Sequence, residues 1–241
     1  MKVGKSLTDL YNKYYNNDEK LFKKRKISAQ QSAEHMKSLL LKSAYSSVID
    51  IGAGEGSVLE EINKMNITND LHAVEISKSG INSINTKKIE KIKTVSQFDG
   101  YHIPMKDSEH ELGLVIHVLE HVEHERKFLQ EVSRVCNYLY IEVPLELNLK
   151  IENNIKLGIN FGHLNYYNEH TFKNLLISSG LKVHKYKTYT ASLNYERHIS
   201  GFLKGSIKYY IKSKFLKFAP KLAQNIFVFI GGAFCEADKK K

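Results

Sequence analysis

The chain has 241 residues, of which 42% are hydrophobic, and a formal net charge of +10 at pH 7. This length supports one hydrophobic core with appendages, and the longest apolar run, residues 226–234, is shorter than the ~20 residues of a bilayer span. The first ten residues lack a signal-peptide core, and Cys136 and Cys235 lack metal-ligand spacing. We therefore expect a soluble, cytoplasmic protein with two buried thiols.

The positive charge leaves three kinds of partner open: nucleic acid, an anionic membrane surface and a phosphorylated substrate. The lysines are spread along the chain, and no aromatic-interleaved RNA-binding motif accompanies them. A lysine-rich background composition explains the charge equally well. Charge alone therefore predicts no particular partner.

A glycine-rich turn follows the first predicted strand. The apolar run 47–51 stops at Gly52, Gly54 and Gly56, and a helical pattern begins just beyond them. Glycines at such a turn let a ligand approach the backbone, and the helix N-terminus offers unpaired N–H groups and a positive dipole end. With Asp50 ahead of the glycines, the pattern predicts a loop that binds an adenosyl cofactor.

Further strand patterns follow in chain order. Residues 71–75 form a short apolar strand ending in Glu75, and an acid at this position accepts the ribose hydroxyls in nucleotide-binding α/β folds. Residues 112–117 and 138–144 predict the fourth and fifth strands. Because strands and helices alternate over 47–190, we predict an α/β protein with a doubly wound parallel sheet.

These segments together resemble class I S-adenosylmethionine-dependent methyltransferases over residues 45–190. The D-x-G-x-G-x-G sequence at 50–56 is similar to the first motif of that family, and Phe98-Asp99-Gly100 is similar to its adenine-contacting segment. The V-L-E-H-V sequence at 118–122 is typical of the small-molecule branch. The resemblance implies a Rossmann-like sheet of seven strands, with S-adenosylmethionine as cofactor and S-adenosylhomocysteine as product. The cofactor-binding residues that it implies are Asp50, Gly52, Ala53, Gly54, Gly56, Glu75, Ile76, Asp99, Gly100 and His117.

The resemblance also divides the chain. Residues 1–46 become an N-terminal helical cap, in which Tyr14 and Tyr15 either line the site or pack the helix against the sheet. Residues 47–241 become the methyltransferase domain, with acceptor-site insertions near 145–170 and 191–222. We expect the first insertion to be rich in loops.

The C-terminal part combines lysines with apolar residues. Residues 202–218 form a basic amphipathic segment that either packs on its own domain or contacts an anionic membrane. The segment through which such membrane contact would run is 199–218. Residues 224–233 predict a seventh strand, antiparallel beside the sixth. The oligomeric state is not predicted.

Three histidines are candidate catalytic residues, because a histidine pKa near neutrality suits a general base. His117 and His121 follow the fourth strand, and a helical turn would place both on one face with Glu120. His163 lies in the first insertion. Some ubiquinone-type O-methyltransferases resemble this segment and hold a divalent ion there with acidic and histidine side chains. Because His117 stands where an acid is expected, we assign no metal ligand.

The acceptor is predicted only by class. The chain lacks the [DNS]-P-P-[YF] tetrad of many N-methyltransferases, and Glu142-Val-Pro-Leu145 stands in its place. We therefore expect O-methylation of a small anionic acceptor, such as a nucleotide-linked sugar or phosphoryl compound, with surface-polysaccharide modification as one setting. Two alternatives remain: an RNA methyltransferase, and a non-catalytic cofactor-binding or membrane-associated module.

Overall fold

The computed structural model describes residues 19–239, and a seven-stranded sheet forms its centre. The strands are β1 Val48–Ile51, β2 Leu71–Glu75, β3 Ile92–Gln97, β4 His110–Ile116, β5 Cys136–Leu145, β6 Leu181–Tyr189 and β7 Phe229–Ala237. Their order across the sheet is β3-β2-β1-β4-β5-β7-β6. Strand β7 runs antiparallel to β5 and β6, whereas the other neighbours are parallel. This topology confirms the expected doubly wound fold.

Helices cover both faces of the sheet. They are α1 Glu19–Leu39, α2 Ser57–Met65, α3 Lys78–Thr86, α4 Glu125–Val135, α5 Ile151–Gly158, α6 Glu169–Ser178, α7 Leu193–Ser200, α8 Phe202–Phe218 and α9 Pro220–Ile226, with short 3-10 turns at Leu119–His121 and Ile159–Phe161. Between the two helical layers, β1, β4 and β5 are almost completely buried. Burial on both faces explains their continuous apolar sequences. Tyr14 and Tyr15 lie outside the described residues.

The structure refines one segment prediction and contradicts another. The first insertion has the expected loops at 146–150 and 162–168, and between them α5 and a 3-10 turn occupy 151–161. The predicted strand 224–233 begins too early, because Pro220 at a helix N-terminus starts α9, which runs to Ile226. An apolar run carries no mark of where its helix ends and its strand begins.

The fold leaves a crevice where the strand order reverses. Strands β1 and β4 are neighbours, and the chain leaves them toward opposite sides of the sheet. In open α/β sheets, ligands bind at this switch point, beyond the carboxyl ends of the strands. Within residues 19–239, no helix combines the length and the apolar composition that crossing a membrane requires. Both cysteines are buried and unbridged, as expected.

Candidate active site

A cleft of about 930 Å³ opens at the switch point. The carboxyl ends of the strands and the glycine loop form one wall of the cleft, which we call the lower wall. Helices α1, α5, α7 and α8 form the opposite wall, which we call the upper wall. The cleft is lined by all but one of the predicted cofactor residues: Asp50, Gly52, Ala53, Gly54, Glu75, Ile76, Asp99, Gly100 and His117. The exception is Gly56, which is buried against α3.

The three loop glycines all have a left-handed backbone, with φ of +80° at Gly52, +57° at Gly54 and +86° at Gly56. Side chains are also excluded by contact. A Cβ atom on Gly52 would lie 2.7 Å from Val118 Cγ2, and one on Gly56 would lie 2.9 Å from Ile84 Cγ1. Backbone conformation and close packing therefore both require glycine in this loop.

Glu75 fastens the loop to the end of β2. Its Oε2 accepts a hydrogen bond from the Gly54 backbone N–H at 2.9 Å. Its Oε1 accepts from the Ser77 backbone N–H at 2.9 Å and from Ser77 Oγ at 2.7 Å. The Glu75 carboxylate therefore fixes the loop and also lines the cleft. The predicted contact with the ribose would use the lone pairs of its oxygens that these three hydrogen bonds do not occupy.

Asp50 brings a carboxyl group into the otherwise apolar strand β1. It is 2% exposed, and its Oδ2 atom is buried with no hydrogen-bond partner. Burial, with a smaller contribution from the nearby Glu75 carboxylate, raises the pKa of Asp50 to about 7. A buried, unsatisfied carboxylate oxygen at a cleft wall fits a ligand that brings a donor or a positive charge.

Asp99 is held differently, at the exposed end of the cleft. Its Oδ1 accepts the backbone N–H groups of Tyr101 at 2.8 Å and His102 at 2.6 Å. These two hydrogen bonds lower the pKa of Asp99. The loop therefore presents an ionised carboxylate, as the predicted adenine contact requires.

His117 sits between two carboxylates. Its Nδ1 lies 3.2 Å from Glu120 Oε1, and its Nε2 lies 3.3 Å from Glu142 Oε1. Burial works against the charged ring, but the two carboxylates raise the pKa of His117 to about 10. An imidazolium that donates at both nitrogens has no lone pair for a proton, so this geometry favours a binding role over a role as base.

The predicted helical turn differs from the observed one. His117 has a left-handed backbone (φ +55°), and Leu119–His121 is a 3-10 turn. Consequently Glu120 contacts His117, whereas His121 lies near Gly162 instead.

Glu142 is the hub of a buried network that sequence reasoning missed. It is fully buried and accepts hydrogen bonds from Ser32 Oγ at 2.5 Å, Tyr140 Oη at 2.5 Å and His35 Nδ1 at 3.0 Å. Although burial favours protonation, the hydrogen bonds from His117 and His35 hold the pKa of Glu142 well below its usual range. The network joins α1 to the sheet beneath the cleft.

The other two predicted catalytic histidines lie side by side in the cleft. His163 Nδ1 lies 2.8 Å from Glu146 Oε2, and His121 Nδ1 lies 3.0 Å from the Gly162 carbonyl oxygen. Their ring centroids are 5.0 Å apart in an edge-to-face arrangement. Burial opposes charge on both rings; it lowers the pKa of His121, whereas the Glu146 carboxylate outweighs it and raises the pKa of His163.

A third group makes this pair a candidate metal-binding cluster. One donor atom each from Glu120, His121 and His163 lies within 4.8 Å of the others. Glu120 Oε2 is buried and has no hydrogen-bond partner, and each histidine is oriented through its Nδ1 atom. Two imidazoles and a carboxylate fit a divalent ion by ligand type. The departure at His117 does not remove this fit, because His163 supplies the third donor.

The upper wall of the cleft carries positive charge that the sequence did not reveal. Lys24 on α1 and Lys208 and Lys212 on α8 line it. Lys208 and Lys212 share one buried partner, Glu196 on α7, at 2.8 and 3.0 Å. Two lysines on one glutamate leave net positive charge. No local pattern signals this group, because its members come from three helices that meet only in the folded chain.

A family model described as a methyltransferase domain matches residues 18–186, more than half of the chain. The chain therefore belongs to this methyltransferase family. No curated protein matches it.

Solved structures agree on the fold. One is the complex between the Haloferax volcanii Trm112 methyltransferase activator and a candidate methyltransferase; the matched chain has a TM-score of 0.68 and 10% identity, and the match covers 95% of this chain and 98% of that one. Another is the Streptomyces coelicolor geranyl diphosphate C-methyltransferase with Mg²⁺ and S-adenosylhomocysteine (0.64, 12%, 86% and 75%). A third is an Aquifex aeolicus SAM-dependent methyltransferase (0.53, 16%, 83% and 87%). The expected class I methyltransferase architecture is confirmed.

Proposed function

We propose that the chain transfers a methyl group from S-adenosylmethionine to a hydroxyl oxygen of a small anionic acceptor. The observation that carries the proposal is that the His163–Glu146 pair lies in the same cleft as the glycine loop. Family membership supports the cofactor, and the cofactor and acceptor share one continuous cleft.

Several features of the cleft suit the adenosyl cofactor. The unpartnered Asp50 carboxylate oxygen accommodates its positive charge, and Glu75 and Asp99 supply acceptors for its ribose and adenine. When bound, S-adenosylmethionine supplies a methyl group on a sulfonium; transfer breaks the C–S bond, leaves its electron pair on sulfur and forms the C–O bond.

His163 removes the acceptor proton in this proposal. Its Nδ1–H donates to Glu146, which leaves Nε2 to accept the hydroxyl proton. The carboxylate stabilises the imidazolium that results and fixes the ring orientation, as in other base–orienter pairs. His121 holds the neighbouring position, oriented by the Gly162 carbonyl.

The same cluster offers a second route to hydroxyl activation. A divalent ion held by Glu120, His121 and His163 would lower the pKa of a hydroxyl bound to it. Dialysis against a chelator separates the routes. Full activity after dialysis would mean that His163 removes the hydroxyl proton without a metal. Activity that is lost on dialysis and restored by Zn²⁺ or Mg²⁺ would mean that a bound ion activates the hydroxyl.

The charge of the upper wall supports an anionic acceptor. Lys24 is half-buried, and burial followed by the neighbouring Arg25 lowers its pKa. An anionic ligand stabilises a partly desolvated ammonium group such as that of Lys24. It would also balance the excess positive charge of Lys208 and Lys212, which share the Glu196 carboxylate. A phosphoryl group or an acidic sugar fits this wall.

Calorimetric titration tests the cofactor first. We expect saturable binding of S-adenosylmethionine and S-adenosylhomocysteine, and none of the nicotinamide dinucleotides. Failure of the adenosyl pair to bind folded protein contradicts the proposal. Acceptors are then screened by mass spectrometry for a gain of one methyl group, with nucleotide sugars before RNA.

Variants of the histidine pair test the chemistry. His163→Ala and Glu146→Gln should lower turnover, by about 10²–10⁴-fold for the histidine, the usual contribution of a positioned base. Affinity for S-adenosylmethionine should stay unchanged, because neither side chain belongs to the glycine loop. His124→Ala is the matched control, since His124 is exposed and should tolerate the change. Normal turnover in His163→Ala would remove it as the base.

A further inference from the structure

Helix α8 packs on the protein with a glycine and a lysine at its most buried positions. These residues are Gly205 and Lys212. A Cβ atom on Gly205 would overlap the Glu196 carbonyl group, so glycine permits close approach to α7. Lys212 reaches the buried Glu196 carboxylate at 3.0 Å. The helix is therefore attached through a backbone contact, an ion pair and the packing of Leu216 against the hydrophobic core.

Apolar residues occur on every side of α8, so the expected amphipathic pattern was wrong, but most of them are exposed. Leu203, Ile207, Ile211 and Phe218 recur at a spacing that places them on one face of the helix, and Leu203, Ile207 and Phe218 are 73%, 60% and 76% exposed. Tyr210 is also exposed there, and Leu222 is exposed on α9, the next helix along the chain. We call these six residues the outer apolar face. Several large apolar side chains exposed on neighbouring helices usually mark an interaction site.

The segment of the chain that carries the outer apolar face has side-chain charges of one sign. No Asp or Glu occurs between Glu196 and Glu236. The same stretch carries exposed lysines on both exposed helices: Lys204, Lys208, Lys214, Lys217 and Lys221. An apolar stripe flanked by lysines complements a surface with an apolar interior and anionic headgroups.

We propose that α8 and α9 dock the protein on the surface of an anionic lipid bilayer, with the outer apolar face lying among the headgroups. The segment lies in the interface rather than spanning the membrane. This inference does not depend on the proposed methyl acceptor. The residues of α8 that line the cleft are Lys208 and Lys212, and none of the six residues of the outer apolar face lines it.

Charge also distinguishes lipid from other occupants. A second copy of the chain on this face would set like-charged lysines against each other across a two-fold axis, which is unfavourable. Nucleic acid would satisfy the lysines but leave the aliphatic side chains of Leu203, Ile207 and Leu222 without apolar partners. An anionic bilayer satisfies both.

Co-sedimentation with vesicles tests the proposal. The full chain should bind vesicles of phosphatidylcholine with about 30% phosphatidylglycerol, more weakly as salt rises, and should not bind phosphatidylcholine alone. Two variants should each reduce the bound fraction about tenfold or more: Leu203→Ser with Phe218→Ser, and Lys214→Gln with Lys217→Gln and Lys221→Gln. Affinity for S-adenosylmethionine should be unchanged in both, which also reports that they fold.

Matched controls alter the same residue types elsewhere. Ile177→Ser changes an exposed apolar residue on α6, and Lys78→Gln with Lys88→Gln and Lys93→Gln removes three exposed lysines on and around α3 and β3. Both controls should bind vesicles like the wild type. The proposal is overturned if anionic vesicles do not bind, if the controls lose binding as the α8 variants do, or if light scattering shows a dimer that the Leu203→Ser/Phe218→Ser variant dissociates.

Discussion

Asp50 places an ionisable group where the fold disfavours its charge. Its pKa of about 7 in the folded chain lies above the value of about 4 expected when unfolded. The folded state therefore holds this proton more tightly, and its contribution to stability is lost as pH rises from about 4 to about 7. Asp50→Asn removes that loss. Its gain in unfolding free energy over the wild type should be larger at about pH 8 than at about pH 5.

Urea denaturation of both proteins at the two pH values measures this difference, because the other titrating groups are common to both. Addition of S-adenosylmethionine should stabilise the wild type more than the variant, since a cationic ligand relieves the buried carboxylate. An equal stability difference at both pH values would contradict the raised pKa of Asp50.

Gly54 tests the glycine loop at a single backbone position. Valine there must adopt φ +57°, which costs roughly 1–2 kcal/mol, and its side chain intrudes where the cofactor approaches the main chain. Gly54→Val should abolish calorimetric binding of S-adenosylmethionine. Gly180→Val is the control, because Gly180 has φ +85° with no atom within 4 Å of an added Cβ. Loss of cofactor affinity in the control would trace the effect to backbone strain instead.

At the scale of elements, Glu142 ties α1 to the sheet. Its partners Ser32 and His35 are on α1, and the His35 ring also stacks on Tyr189 of β6 at 3.9 Å. Glu142→Gln removes the charge from a fully buried network, which should lower the free energy of unfolding by about 3 kcal/mol. Because the variant loses the carboxylate that holds α1 to the sheet, the backbone amides of α1 should exchange hydrogen faster than in the wild type. The amides of α4, whose residues 125–135 form no hydrogen bond with Glu142, should exchange as in the wild type.

The control for this network is a carboxylate at the protein surface. Glu236→Gln removes exposed ion pairs with Lys182 and His184, and exposed pairs contribute little to stability. Hydrogen exchange monitored by mass spectrometry compares the two variants. Unchanged α1 exchange in Glu142→Gln would mean that apolar packing, rather than the buried carboxylate, positions this helix.

Most residues that the sequence assigns to cofactor binding line one cleft, whereas the contacts that build the opposite wall were not predicted. The residues from Asp50 to Gly56 are contiguous, so local chain geometry alone brings them together. The Ser32–Glu142 contact joins positions 110 residues apart, and the Glu196–Lys212 contact joins two helices. Such contacts leave no periodic signal, because they form only when the complete fold brings distant elements into register.

At the scale of the whole molecule, the charge of +10 predicts a salt-dependent interaction with RNA but no specific one. Bulk tRNA should bind at about 50 mM salt and lose most of its affinity at about 200 mM, as counterion release dictates. Fluorescence anisotropy of labelled tRNA measures this, with an acidic protein of similar size as the control. An RNA that stays tightly bound at the higher salt concentration would favour the RNA methyltransferase alternative.

The chain between β6 and β7 carries both part of the upper wall of the cleft and the outer apolar face. The two strands are adjacent in the sheet, so the chain between them, 190–228, is a single excursion from one edge of the framework. That excursion contains Glu196, Lys208 and Lys212 of the cleft as well as the outer apolar face. Exchange of this one contiguous segment would therefore alter the upper wall proposed for the acceptor and the proposed lipid-docking face together, while the glycine loop and its strands stay unchanged.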